Sequence, residues 1–251
     1  MSDVSLTPAA LQPGLLRRLL ASARCDLLLA WRNGFFVAAA FVTIVHLALL
    51  IWMGTVLKDW IISLVLLEIF IFNGFYFAAA LVLLQKTEGT LAAQFLTPLR
   101  PAEWVAARGL VLSVLAIGEA LLVTMPVWRV HLLMLLLSAV LLTCLLCQLG
   151  LIMVQRYRGL SDFLMPSSLA FLFLLVPAIE LVGVWSSPWL WLHPLTPGLT
   201  LLKSAVLPAA GQVNEVPSNL TLLVALLLAT LWLVPGQILA SRATRNMARG
   251  P

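Results

Sequence analysis

The chain has 251 residues, is 62% hydrophobic and only 10% charged, and carries a formal net charge of +5. Its apolar runs repeatedly reach the ~20 residues a helix needs to cross a bilayer, which excludes an ordinary soluble domain. No stretch alternates polar and apolar residues as the strands of a membrane barrel do, so the composition predicts an all-α, polytopic membrane protein.

The chain opens with a basic, leucine-rich segment, "LLRRLLASARCDLLLAWR". Arg17, Arg18, Arg24 and Arg32 precede the first long apolar run, and no small-residue cleavage site follows, so a removable signal peptide is not expected. Leu15, Leu16, Leu19, Leu20 and Leu27 to Leu29 fall on one helix face. That pattern predicts an amphipathic elbow helix in the headgroup layer, its arginines toward phosphate; an unstructured basic flank is the alternative. Residues 1–33 are thus read as a cytoplasmic N-terminus and residues 34–251 as a six-helix membrane domain.

Six candidate spans follow, at roughly 34–54, 60–84, 102–125, 130–154, 163–184 and 219–240. A cytoplasmic N-terminus puts Arg17, Arg18, Arg24, Arg32, Lys86, Arg100, Arg108, Arg156, Arg158, Arg242, Arg245 and Arg249 inside and only Lys58, Arg129 and Lys203 outside. The positive-inside bias therefore predicts that both termini are cytoplasmic. Trp185, Trp189 and Trp191, between spans five and six, suit the outer interface.

Between spans two and three lies "LLQKTEGTLAAQFLTPLRPAEWVAARGL". Gly89 is read as a helix stop and Thr90 as the cap of a short new helix from Leu91 to Leu96, ended at Thr97 by Pro98. Pro101 suits the first turn of span three, and Glu103 complements the positive end of that helix. The segment, within residues 85–101, would expose Leu91, Phe95 and Leu96 either to a partner or to lipid.

Inside the spans, Glu68, Glu119 and Glu180 are costly in hydrocarbon and are expected to face the bundle interior or water, with His46 and Asn73 as neighbours. Their helix positions put all three acids in the outer half, where they would form an anionic vestibule favouring cationic or zwitterionic amphiphiles. The structural alternative pairs Glu119 with Arg129 and Glu180 with Lys203 or the outer backbone. Cys144 and Cys147, without a nearby histidine, are assigned to packing. Gln148, Asn73 and Ser138 are read as interhelical hydrogen-bond formers, Gly150 as a close-approach point, and Pro166 and Pro177 as kinks in span five. "HPLTPG", His193 to Gly198, reads as a turn capping the outer end.

The motif E-G-T-L, then L-T-P-L-R-P, then an acidic and a basic residue opening the next span resembles the coupling-helix region of ABC exporter permeases of the second exporter class. "WRNGFF", "FNGFYFAAALVLLQKTEGTL", "SDFLMPSSL" and "WLHPLTPGLTLLKSA" look like the matching segments of the bacterial fluoroquinolone export permease group. The resemblance implies a six-helix permease of the bacterial cytoplasmic membrane with an elbow helix, a coupling helix and two re-entrant helices within 185–218. Its expected partners are two copies of an ABC ATPase subunit, a second permease chain in a homodimer, membrane lipid and a small-molecule substrate, with no nucleic acid. Glu88, Gly89, Thr90, Leu91, Phe95, Leu96 and Pro98 would couple to the ATPase, and Glu68, Asn73, His46, Glu119 and Glu180 would line the path. No lysine follows a glycine, so this sequence has no P-loop; no cofactor is expected here, and ATP and Mg2+ would sit on the partner subunit. The spans lack the motifs of an intramembrane protease or hydrolase. A proton-coupled secondary multidrug transporter, using the glutamates and His46, is the rival reading.

Overall fold

The computed structural model describes residues 14–53, 59–94, 96–124, 130–206 and 217–249, and within them the chain is almost wholly helical. Helix α1, Leu15–Arg32, ends at Asn33 and the positive-φ Gly34 (φ 75°), which turns the chain into α2, Phe35–Met53. Helix α3 runs Asp59–Thr87 and contains a π segment, Phe72–Phe77. The short α4, Thr90–Gln94, leads to α5, Pro101–Thr124, and α6, Leu132–Val154. Then come α7, Leu160–Leu174, α8, Ala178–Val182, α9, Thr196–Ala205, and the long α10, Asn219–Arg249. Five of these, α2, α3, α5, α6 and α10, are long and apolar enough to cross a membrane. The expected fifth span is instead divided: α7 has 15 residues and stops before the turn at 175–177. Pro177 lacks the N–H that would continue the helix, and the chain restarts as α8. Pro166, by contrast, lies within α7 without ending it.

Helix α6 is the hub. Its neighbours approach through glycines: a Cβ on Gly74 would lie 2.8 Å from the Thr143 carbonyl oxygen, and one on Gly150 would lie 2.6 Å from that of Phe75. With no side chain interposed, the backbones of α3 and α6 pack directly, as expected for Gly150. Helix α9 is applied to the same helix, Gly198 facing Leu142, and Val206 forms an isolated antiparallel bridge with Val130. The 3-10 turn Pro188–Leu192 precedes α9; only His193 to Leu195 join the two pieces, and Thr196 to Gly198, expected within the turn, already form the first turn of α9. One expected interhelical bond is corrected and one is found. Ser138 bonds back to Leu135 of its own helix rather than across helices, because that carbonyl is one turn away. Gln148 does reach across, donating to Gln237 at 3.1 Å, and Gln237 in turn donates to the Ala102 carbonyl at 2.7 Å. Cys144 packs on Gly109 and Ser113, and Cys147 is buried.

Candidate functional site

Two groups of residues stand out, one at the end of the bundle that carries α1 and α4, and one along α3.

At the first, Glu88 caps α3, its N–H bonded to Leu84 O at 2.9 Å, and Gly89 takes the left-handed conformation (φ 69°) that the stop requires. Thr90 is not a cap. It is the first residue of α4, and its hydroxyl donates backward to the Gln85 carbonyl at 3.4 Å. The helix is a single turn rather than a run to Leu96, because Gln94 is drawn inward: its side chain accepts from the Trp104 indole at 3.0 Å and reaches Cys25 Sγ at 3.7 Å. The same inward tilt buries Leu91, which is 5% exposed and belongs to the main apolar core, contrary to the exposure expected of it. Leu96 is the residue left outside, 89% exposed. Phe95 lies outside the described residues. Exposed Pro98 helps line a cleft of about 510 Å³ between α1 and the loop, together with Arg17, Ser22, Cys25 and Thr97.

This corner is bolted down by charges that sequence reading assigned elsewhere. Asp26 of α1, 1% exposed, accepts two bonds from Arg108 of α5, at 2.6 and 3.1 Å. Arg108 also donates to Gln85 at 3.0 Å and lies 4.1 Å over the Trp104 ring. Arg18 is not turned to lipid phosphate; it makes two bonds, 2.6 and 3.0 Å, to Glu103, which also accepts the Arg100 N–H at 3.2 Å. Hydrogen bonding to Glu103 raises the pKa of the Arg18 guanidinium above its ordinary value. The reason is the helix repeat: Arg18, Ser22 and Asp26 recur every fourth residue on the face toward α5, while Leu15, Leu16, Leu20, Leu27 and Leu28 face outward. The outward leucines match the amphipathic expectation. At the neighbouring helix end, Lys86 donates to three carbonyls, Val154, Gln155 and Tyr157, at 2.9 to 3.1 Å, and so caps α6.

In the second group, four of the five expected path residues form two pairs. Buried Asn73, in the π segment, donates to Glu119 of α5 at 3.0 Å, replacing the expected Arg129, which lies outside the described residues. Buried His46 of α2 sits 3.3 Å from Glu68. Glu68 itself remains 57% exposed along its side chain. Glu180 is separate: with Lys203 and Trp191 it lines a pocket of about 340 Å³, and no ion pair joins it to Lys203. The π segment was not legible from apolar periodicity, although "FNGFYF" with its glycine marked the place.

The model of the fluoroquinolones export permease protein family matches residues 17–244. Two fluoroquinolones export permease proteins, from two strains of Mycobacterium tuberculosis, are each 31% identical to this chain over 191 residues, covering 75% of the chain and 81% of the relative.

Proposed function

Because this chain belongs to the fluoroquinolones export permease family, we propose that it is the transmembrane subunit of an ATP-driven ABC exporter. Two copies enclose a path for drug-like or amphiphilic compounds, and two separate ATPase subunits bind beneath them and supply ATP and Mg2+. The chain lies in the bacterial cytoplasmic membrane with both termini inside, as its basic residues favour.

The observation that carries this reading is Leu96: a large apolar side chain, 89% exposed, at the tip of a corner fixed by Gln94, Trp104, Arg108 and Asp26. An apolar knob left outside awaits a partner, and one on a rigid mount transmits displacement. ATPase subunits gripping Leu96 and the cleft beside Pro98 push α3 and α5 together, since α4 joins them. Nucleotide acts by binding one arrangement of the pair more tightly than the other. Glu88, Gly89 and Thr90 form the exposed shoulder of the same seat. The path reading rests on Glu68, a carboxylate left open on a membrane helix, with His46 beside it; Asn73 and Glu119 form a buried polar pair behind it.

The His46–Glu68 pair also favours a second reading, a proton-coupled secondary carrier. Transport in proteoliposomes containing the chain, with and without a candidate ABC ATPase subunit from the same organism, separates the two. Uptake with ATP and a collapsed proton gradient is expected; uptake driven only by the gradient, without the ATPase, overturns the ABC reading.

A further inference from the structure

The partly open positions of α3, Leu64, Glu68, Phe72, Tyr76, Ala80 and Leu84, recur every fourth residue. In a continuous α-helix of 3.6 residues per turn, such a stripe would drift around the axis. The π segment takes more residues per turn and turns the stripe back, so Glu68, Phe72 and Tyr76 stay on one side. Phe171, from α7, closes the same side: Glu68, Ile71, Phe72, Tyr76 and Phe171 line a recess of about 160 Å³. Within it, the Phe72 and Tyr76 rings are 6.2 Å apart and the Tyr76 and Phe171 rings 6.4 Å apart. His46 holds Oε2 of Glu68 from the other side at 3.3 Å, which orients the carboxylate without covering it.

We propose that this recess is a binding site for an organic ammonium group, with Glu68 as counter-charge and the Phe72, Tyr76 and Phe171 rings as its walls. A carboxylate on an open face of a membrane helix is unfavourable unless something positive or wet meets it. Ring faces attract cations, and adding one carboxylate to them selects for positive charge and rejects anions. An inorganic divalent ion is a poor fit, because hard cations take six or more oxygen ligands and this recess offers a single carboxylate among rings. The volume is below the ~300 to 1,000 Å³ of a site that encloses a drug-sized molecule. The recess therefore takes the charged head, and the rest of the ligand lies along the open stripe of α3. This assignment deepens the export reading by naming the chemical class carried, and rests on it for the biological role.

The test is ethidium, a quaternary nitrogen cation, titrated by fluorescence anisotropy into the full-length chain in lipid nanodiscs, with an uncharged dye as reference. Glu68→Gln, Tyr76→Leu and Phe171→Leu should each weaken ethidium binding about tenfold or more and leave the neutral dye unchanged. Three variants on two helices protect the test against one that does not fold. Ethidium affinity within twofold of wild type in a properly folded Glu68→Gln protein overturns the site. Because binding needs no ATPase, the two readings fail separately: ethidium binding that depends on Glu68, without ATP-driven export, sinks only the export reading. ATP-driven export with ethidium binding indifferent to Glu68 sinks only the site.

Discussion

Arg108 and Asp26, 82 residues apart in the chain, close a two-point ion pair with both side chains buried. Removing either partner strands a charge inside the protein, which typically costs about 3–5 kcal/mol. Asp26→Ala and Arg108→Ala should each lower the melting temperature sharply, and the double neutral variant Asp26→Asn with Arg108→Gln should recover much of the loss. Thermal melting in detergent by tryptophan fluorescence checks this; full additivity of the two single losses would show that the pair is not coupled.

Leu91 and Leu96 are only five residues apart, and their fates should diverge. Leu91 is in the core, and burying a leucine contributes roughly 1.5–3 kcal/mol, so Leu91→Asp should damage folding itself. Leu96→Asp should leave melting unchanged but abolish capture of the ATPase in a pull-down from co-expressing cells. An intact complex with Leu96→Asp would move the docking surface elsewhere.

The glycines of the α3–α6 crossing predict a graded series. Gly150→Ala and Gly74→Ala place a Cβ 2.6 and 2.8 Å from backbone oxygens, and overpacking of this kind costs about 1–3 kcal/mol. Gly118, with nothing within 4 Å of its added Cβ, is the control: Gly118→Ala should be neutral or stabilise the helix by up to ~1 kcal/mol. Equal melting temperatures across the three would refute direct backbone contact.

His193 gives the turn before α9 a pH dependence. Its Nδ1 accepts the Leu195 N–H at 3.3 Å, and burial pushes the ring below its ordinary pKa of 6.5, with the Phe173 carbonyl opposing. As pH falls past 6.5 the unfolded chain takes up a proton that the folded chain still refuses, so stability present above that value is lost through the folded pKa below it. Melting temperature should fall on acidification below 6.5, and His193→Gln should flatten that slope. An unchanged slope in the variant would assign the pH response to another group.

What was readable in the sequence was local. Gly89 and Pro101 act through their own backbone positions, and their roles follow from residue type; the apolar runs follow from length alone. Pro177 could be marked as a disturbance, but that it divides the expected span is a matter of packing. The Asp26–Arg108 and Arg18–Glu103 pairs join distant helices, and the same four residues read one at a time suggest a basic flank and a helix-end charge. The burial of Leu91 is not legible in the sequence, because a polar loop gives no sign that its helix is a single turn packed inward beside Gln94. Asn73 is expected as a neighbour of the membrane acids from its span position, but its choice of Glu119, and His46's choice of Glu68, are set by how the helices pack.

The contact of Gly74 and Gly150 with the opposing backbone has a mechanical corollary. Two helices that touch main chain to main chain have no flexible layer between them to shear, so α3 and α6 behave as one stiff spar. Lys86 clamps one end of that spar by holding the final carbonyls of α6. Any change of shape during a transport cycle therefore moves that spar as one body against its neighbours, and α2, whose outward side is largely uncovered within a single chain, has the most room to yield.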